Sequence, residues 1–79
     1  MKNLGPISAA RLRSVGIQTP DDLRRLGTIA AYAMLKRAYP NETTPVVLYA
    51  LEGAIRDTRW YSLPDETRAR LRDQAARHR

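Results

Sequence analysis

The sequence contains no cysteine, so disulfide staples and thiolate metal sites are excluded, and small size must be offset by packing or by self-association. The absence is compatible with a reducing cytoplasm, where the protein is expected to reside. No stretch of eighteen apolar residues occurs, and Lys2 is followed by no apolar run, so neither a membrane span nor a signal peptide is expected. Strand signals are also missing: there is no run of alternating β-branched residues and no Asn-Gly or Asp-Gly hairpin. The one histidine, His78, stands beside the C-terminus with nothing nearby to orient it as a base or ligand. Ser8, Ser14 and Ser62 have no nucleophile-elbow context, and no Walker or dinucleotide glycine pattern exists. The expectation is a protein that is not an enzyme and takes no cofactor or metal.

What is present fits one domain spanning residues 1–79. Apolar residues make up 43% of the chain and charged ones 28%, enough for a modest core and too apolar for disorder. The formal net charge is +6 and its distribution is uneven. Residues 1–39 hold seven basic and two acidic groups, a net of +5, while residues 40–79 hold seven and six, a net of +1. Arginine supplies twelve of the fourteen cations, and its planar fork suits phosphate and carboxylate. A polyanion or an acidic protein is one partner class this balance fits; ordinary solubility is the other explanation.

Helix punctuation is regular. Gly5-Pro6 precedes a first helix over Ile7 to Val15, with Ala9, Leu12 and Val15 on one face and Gly16 as its left-handed stop. Thr19-Pro20-Asp21-Asp22 supplies a cap, a first-turn proline and dipole-matching acids for a short helix ending at Gly27. Thr28 is expected to cap a third helix with Ile29, Tyr32, Ala33 and Leu35 inward, ending before Pro40. Thr44-Pro45 repeats the cap-proline device before "VVLYALEGAI", apolar on nearly every side except at Glu52 and therefore the central buried helix. Gly53 within it suits close approach of a neighbouring helix. Ser62-Leu63-Pro64-Asp65 opens a fifth, arginine-rich surface helix in which only Leu63, Leu71 and small alanines can pack, its last residues frayed. Trp60 and Tyr61 before it read together as core aromatics. The fold class is all-α, a small orthogonal bundle of about five helices.

The candidate site is the turn that feeds the first helix. A helix N-terminus presents unpaired amides and the positive end of the dipole, so a glycine turn leading into one can hold a phosphate. Here Gly5 allows close backbone approach, Ile7 and Ser8 supply amides, Ser8 adds a hydroxyl, and Lys2, Arg11 and Arg13 surround them with positive charge. Val15-Gly16-Ile17 then forms a tight hairpin to the second helix. Gly16 is explained by helix termination alone, whereas Gly5-Pro6 reads either as a functional turn or as simple chain direction.

The segment "NLGPISAARLRSVGIQTPDDLRRLG" resembles the second half of a helix-hairpin-helix DNA-binding element. Taken with "LYALEGAIRDTRWYSLP" and the arginine-rich helix after it, residues 3–77 resemble the C-terminal domain of the TfoX (Sxy) family. That resemblance implies a regulatory domain linked to bacterial competence for DNA uptake, also found without the family's N-terminal domain. Asn3 stands where the hairpin element has its first glycine, and no helical pattern precedes it, so the element is half complete. The first helix is also similar in pattern to that in the C-terminal domain of the alpha chain of RNA polymerase, but the DNA-contacting polar positions fall at Ile7 and Ala10. Two readings stay open: a regulatory module contacting DNA phosphates through Lys2, Asn3, Gly5, Ile7, Ser8, Arg11 and Arg13, or a protein-protein adaptor that binds another regulator or a second copy of itself.

Overall fold

Helix α4, Pro45–Arg56, is the apolar centre that the rest of the chain encloses. In the computed structural model, which describes residues 4–78, it is preceded by α1 (Pro6–Ser14), α2 (Pro20–Leu26) and α3 (Thr28–Ala38). It is followed by a 3-10 turn at Trp60–Ser62 and by α5 (Asp65–Arg77). No strand occurs among the described residues, and the all-α five-helix bundle read from the sequence is the observed architecture.

Two apolar clusters meet on α4. Leu51 and Ala54 join Leu12, Ile17, Leu23, Ala31 and Leu35, so that side is covered by the α1–α2 hairpin and α3. Leu48 and Tyr49 join Leu63 and Leu71, so the other side is covered by the 3-10 turn and α5. Each fully buried leucine contributes about 1.5–3 kcal/mol by leaving water. Tyr32 touches both clusters, and burial, reinforced by the neighbouring Tyr49, pushes its phenol above the ordinary value.

Local chemistry sets the helix ends. Helix α1 starts at Pro6, one residue earlier than the spacing indicated, and stops at Ser14. Its stop is a Schellman arrangement: the Gly16 amide donates to the Arg13 carbonyl (3.0 Å) and the Ile17 amide to the Leu12 carbonyl (2.9 Å). Leu12 and Ile17, the two residues that this motif brings together, are both completely buried. The capping box of α2 forms as its sequence requires, with the Thr19 hydroxyl accepting the Asp22 amide and the Asp22 carboxylate accepting the Thr19 amide, each at 3.1 Å.

Several expectations are corrected. Thr28 does not cap α3; Gly27 holds that position while also ending α2, so the buried Thr28 hydroxyl is free to donate to Glu52 Oε1 (2.5 Å). Glu52 Oε2 accepts from Arg56 Nε at 2.7 Å, which makes the one polar exception of α4 a bridge to the start of α3. Thr44 occupies the N-cap of α4 without a side-chain cap bond, and Pro64 occupies that of α5. Helix α5 runs unbroken to Arg77 because Ala75 still packs on the second cluster. The aromatic pair divides: Trp60 stacks on Tyr49 with ring centres 6.1 Å apart, whereas Tyr61 is 62% exposed. On α3 the completely buried position is Ala31, which is not among the expected inward residues Ile29, Tyr32, Ala33 and Leu35.

Gly27 (φ 87°, ψ 160°) lies in a region essentially reserved for glycine, and Gly16 (φ 92°) is also left-handed, whereas Gly5 (φ −78°) is ordinary extended backbone. Thermal denaturation is therefore expected to show Gly27→Ala costing about 1–3 kcal/mol and Gly16→Ala about 1–2 kcal/mol. Gly5→Ala should stay within about 0.5 kcal/mol, the weaker N-cap offset by lost unfolded-state freedom. The capping box adds a pH dependence. The Gln18 amide, donating to Asp22 Oδ2 at 3.0 Å, does most to hold the Asp22 carboxyl below its usual 3.8, against some desolvation and with help from Arg25 and Thr19. Its stabilisation is complete above pH 3.8 and is lost as the pH falls through the lowered folded value. Melting curves across the acid range should show Asp22→Ala losing stability near neutrality while converging on the parent protein at the lowest pH.

Candidate nucleic-acid interface

The N-terminus of α1 differs from that of α2 in what occupies it. At α2 the Thr19 hydroxyl accepts the Asp22 amide, while the Asp22 carboxylate accepts the Gln18 and Thr19 amides that lead into the helix and pairs with Arg25, so that N-terminus already carries its own acid. At α1 the N-cap is Gly5, which brings no side-chain bond, and the first turn has no acid. The Ala9 amide closes the first helical bond on the Gly5 carbonyl at 2.9 Å, and Pro6 has no amide hydrogen. Ile7 and Ser8 are thus the residues whose amides have no acceptor within the helix. A Cβ added to Gly5 would meet no atom within 4 Å, so the turn opens outward. Gly5 is therefore needed neither for its backbone conformation nor for close packing within the chain, and its distinguishing property is the open surface.

The basic groups do not all gather at that turn. Lys2 and Asn3 lie outside the described residues. The Arg11 guanidinium stands 5.3 Å from the centre of the Tyr39 ring, which directs it to the end of α3. Ser8 and Arg11 are half-buried and share with Leu4, Glu42 and Thr43 the lining of a hollow of about 10 Å³, so this side of α1 is closed. Ser14 Oγ donates to the Arg11 carbonyl (2.6 Å), leaving the Tyr39 hydroxyl as donor in its 2.7 Å bond to Ser14. Arg13 is exposed. Ile7, at the first of the two positions where a polar contact residue was expected, is 68% exposed, and Ala10 is exposed as well. Val15, Gly16 and Ile17 form the hairpin as expected, but they serve the core, since Ile17 is buried and Val15 packs on the first cluster.

The charge excess of the first half becomes specific in three dimensions. Asp21 pairs with Arg24 at 2.9 Å and Asp22 with Arg25, so α2 is internally neutralised. The surplus then belongs to α1 and the end of α3, at Arg11, Arg13, Lys36 and Arg37, together with Lys2. Tyr39, which organises Arg11 and Ser14, carried no signal in the sequence because its partners lie 28 and 25 positions away.

Among the described residues no group of three or more His, Cys, Asp or Glu side chains could hold a metal ion, and no helix is long and apolar enough to cross a membrane.

The same arrangement occurs in solved structures. An uncharacterised protein from Listeria monocytogenes, in a triclinic crystal form, superposes with a TM-score of 0.86 at 29% identity over 91% of this chain and 81% of that one. A protein of unknown function from the same organism, in a tetragonal form, gives 0.88 at 28% identity over 96% and 93%. No curated protein matches. The profile of the TfoX C-terminal domain matches residues 1–75, almost the whole length over which the helices and both apolar clusters are built. With that match and this bundle in agreement, the chain belongs to the TfoX C-terminal domain family.

Proposed function

We propose that this domain is a non-enzymatic regulatory module that contacts the phosphates of duplex DNA without reading base sequence, through the N-terminal turn of α1 and the arginines of that helix. The observation that supports it most is the contrast between the two hairpin helices: α2 neutralises its own N-terminus, while α1 leaves amides open, has no acid in its first turn and carries Arg11 and Arg13 in its last. An apolar Ile7 at the surface fits contact to backbone phosphate and sugar better than hydrogen bonding to base edges. A place in bacterial competence and transcription regulation, in the cytoplasm, belongs to the same proposal and comes from the family.

The adaptor reading has one observation in its favour. Ile7 and Val46 expose 68% and 48% of their surface, and apolar residues in the open suit a protein partner or a second copy of the chain.

Titration of labelled duplex DNA at several salt concentrations separates the two. The DNA reading expects log affinity to fall linearly with log salt, at about 0.9 per phosphate neutralised, and equally for unrelated sequences. Arg13→Ala should lower that slope by about 1. Gly5→Asp is the sharper variant: the position is open and extended, and aspartate is a good N-cap, so the fold is retained while the carboxylate occupies the amides. Weakened binding with unchanged melting supports the site. No binding at low salt, a salt-independent curve, or a Gly5→Asp protein that binds normally overturns it, and dimerisation in light scattering would then favour the adaptor.

A further inference from the structure

The second apolar cluster is covered unevenly, because α5 carries Leu71 at its middle but only Ala75 and Ala76 in its last turns. Alanine is too short to fill the space above Leu48, and two hollows of about 340 and 280 Å³ remain between α3, the start of α4 and the last turns of α5. They share Tyr32, Lys36 and Ala75 and so form one continuous groove. Its floor is apolar, made by Ile29, Tyr32, Leu48 and Ala75.

The rim has one sign of charge. Lys36, Arg37 and Arg72 line the groove with His78 at its end, and no acidic residue lines either hollow. Two of the rim cations bond to uncharged groups: Lys36 Nζ donates to the carbonyls of Pro40 (2.9 Å) and Thr43 (3.1 Å), and Arg72 Nη1 to the Tyr49 hydroxyl (2.6 Å). Asp73 of α5 lines neither hollow and pairs with Arg77 at 3.3 Å.

We propose that this groove is a docking site for an acidic amphipathic helix of a partner protein. Two adjoining hollows over an apolar floor suit apolar anchors about one turn apart, and a wholly cationic rim is complementary to carboxylates flanking such anchors. Helix α1 does not line the groove, so this site stands or falls separately from the DNA contact.

The test uses a labelled peptide with leucines at i, i+3 and i+7 among glutamates, a permuted peptide of the same composition, duplex DNA and dodecanoate. Binding is followed by anisotropy, and its location by amide chemical-shift changes. The amphipathic peptide is expected to bind saturably, to shift Ile29, Leu48 and Ala75, and to bind better than the permuted one. Ala76→Glu and Arg37→Glu should each weaken it about three- to tenfold, whereas Arg70→Glu, with the same charge change as Arg37→Glu on an exposed face that does not line the groove, should not. Melting curves confirm that these surface variants fold. The proposal is overturned if the two peptides bind alike, if Arg70→Glu weakens binding as much as Arg37→Glu, or if only dodecanoate shifts the groove. It is equally overturned if self-association covers these residues, or if Arg37→Glu and Ala76→Glu abolish DNA binding while the peptide fails to bind.

Discussion

Helix α4 has to bury two sides of itself at once, and the positions of the other helices follow from that requirement. A helix of twelve residues with Leu48, Tyr49, Ala50, Leu51, Gly53 and Ala54 all buried leaves little of its surface for water. The hairpin and α3 must close one side, and the 3-10 turn and α5 the other. Glu52 could remain in this helix only with partners, and Thr28 and Arg56 take one carboxylate oxygen each. The polar exception thereby fixes where α3 starts relative to α4.

That register explains the single-residue junction at Gly27. With the start of α3 fixed by Glu52 and α2 required to bury Leu23, the chain turns between two helices without a linker, and only glycine adopts the dihedral angles needed. The first hairpin is less constrained. It is held through Leu12 and Ile17, brought together by the Schellman turn, and at its far end Leu4 packs on the first cluster while Gly5 faces open space.

What was legible in the sequence was whatever short-range chemistry decides. Thr19-Pro20-Asp21-Asp22 carries a complete start signal for α2, Gly16 a complete stop for α1, and the length of "VVLYALEGAI" marks the central helix. What was hidden depends on distance in the chain. Thr28 looks like a cap until Glu52, 24 positions away, is seen to need its hydroxyl. Arg11 looks free for phosphate until the Tyr39 ring is found beneath it. Trp60 and Tyr61 have the same local composition, yet a short 3-10 turn places one on Tyr49 and the other in solvent. Ala31 was missed because the inward stripe was drawn through Ile29, Tyr32, Ala33 and Leu35, whereas the position that joins the first cluster with Leu35 is Ala31, four residues before it. At the candidate site the amides were foreseeable from Gly5-Pro6, but the closed side of α1 was not.

The ion pairs also have a shared geometry. Among the described residues, Asp21–Arg24, Asp22–Arg25, Glu52–Arg56, Asp65–Arg68 and Asp73–Arg77 each lie three or four positions apart on a single helix. These carboxylate–arginine pairs therefore support individual helices, while the helices are held to one another mainly by the two apolar clusters, with Thr28–Glu52 and Arg72–Tyr49 as polar contacts between them. Screening by electrolyte, which weakens exposed charge pairs and leaves apolar burial in place, consequently acts on the surface of this protein without loosening its architecture. Ionic strength becomes a clean variable for it: an association that fades as ions are added reports the chemistry of the contact, because the scaffold presenting that contact stays intact.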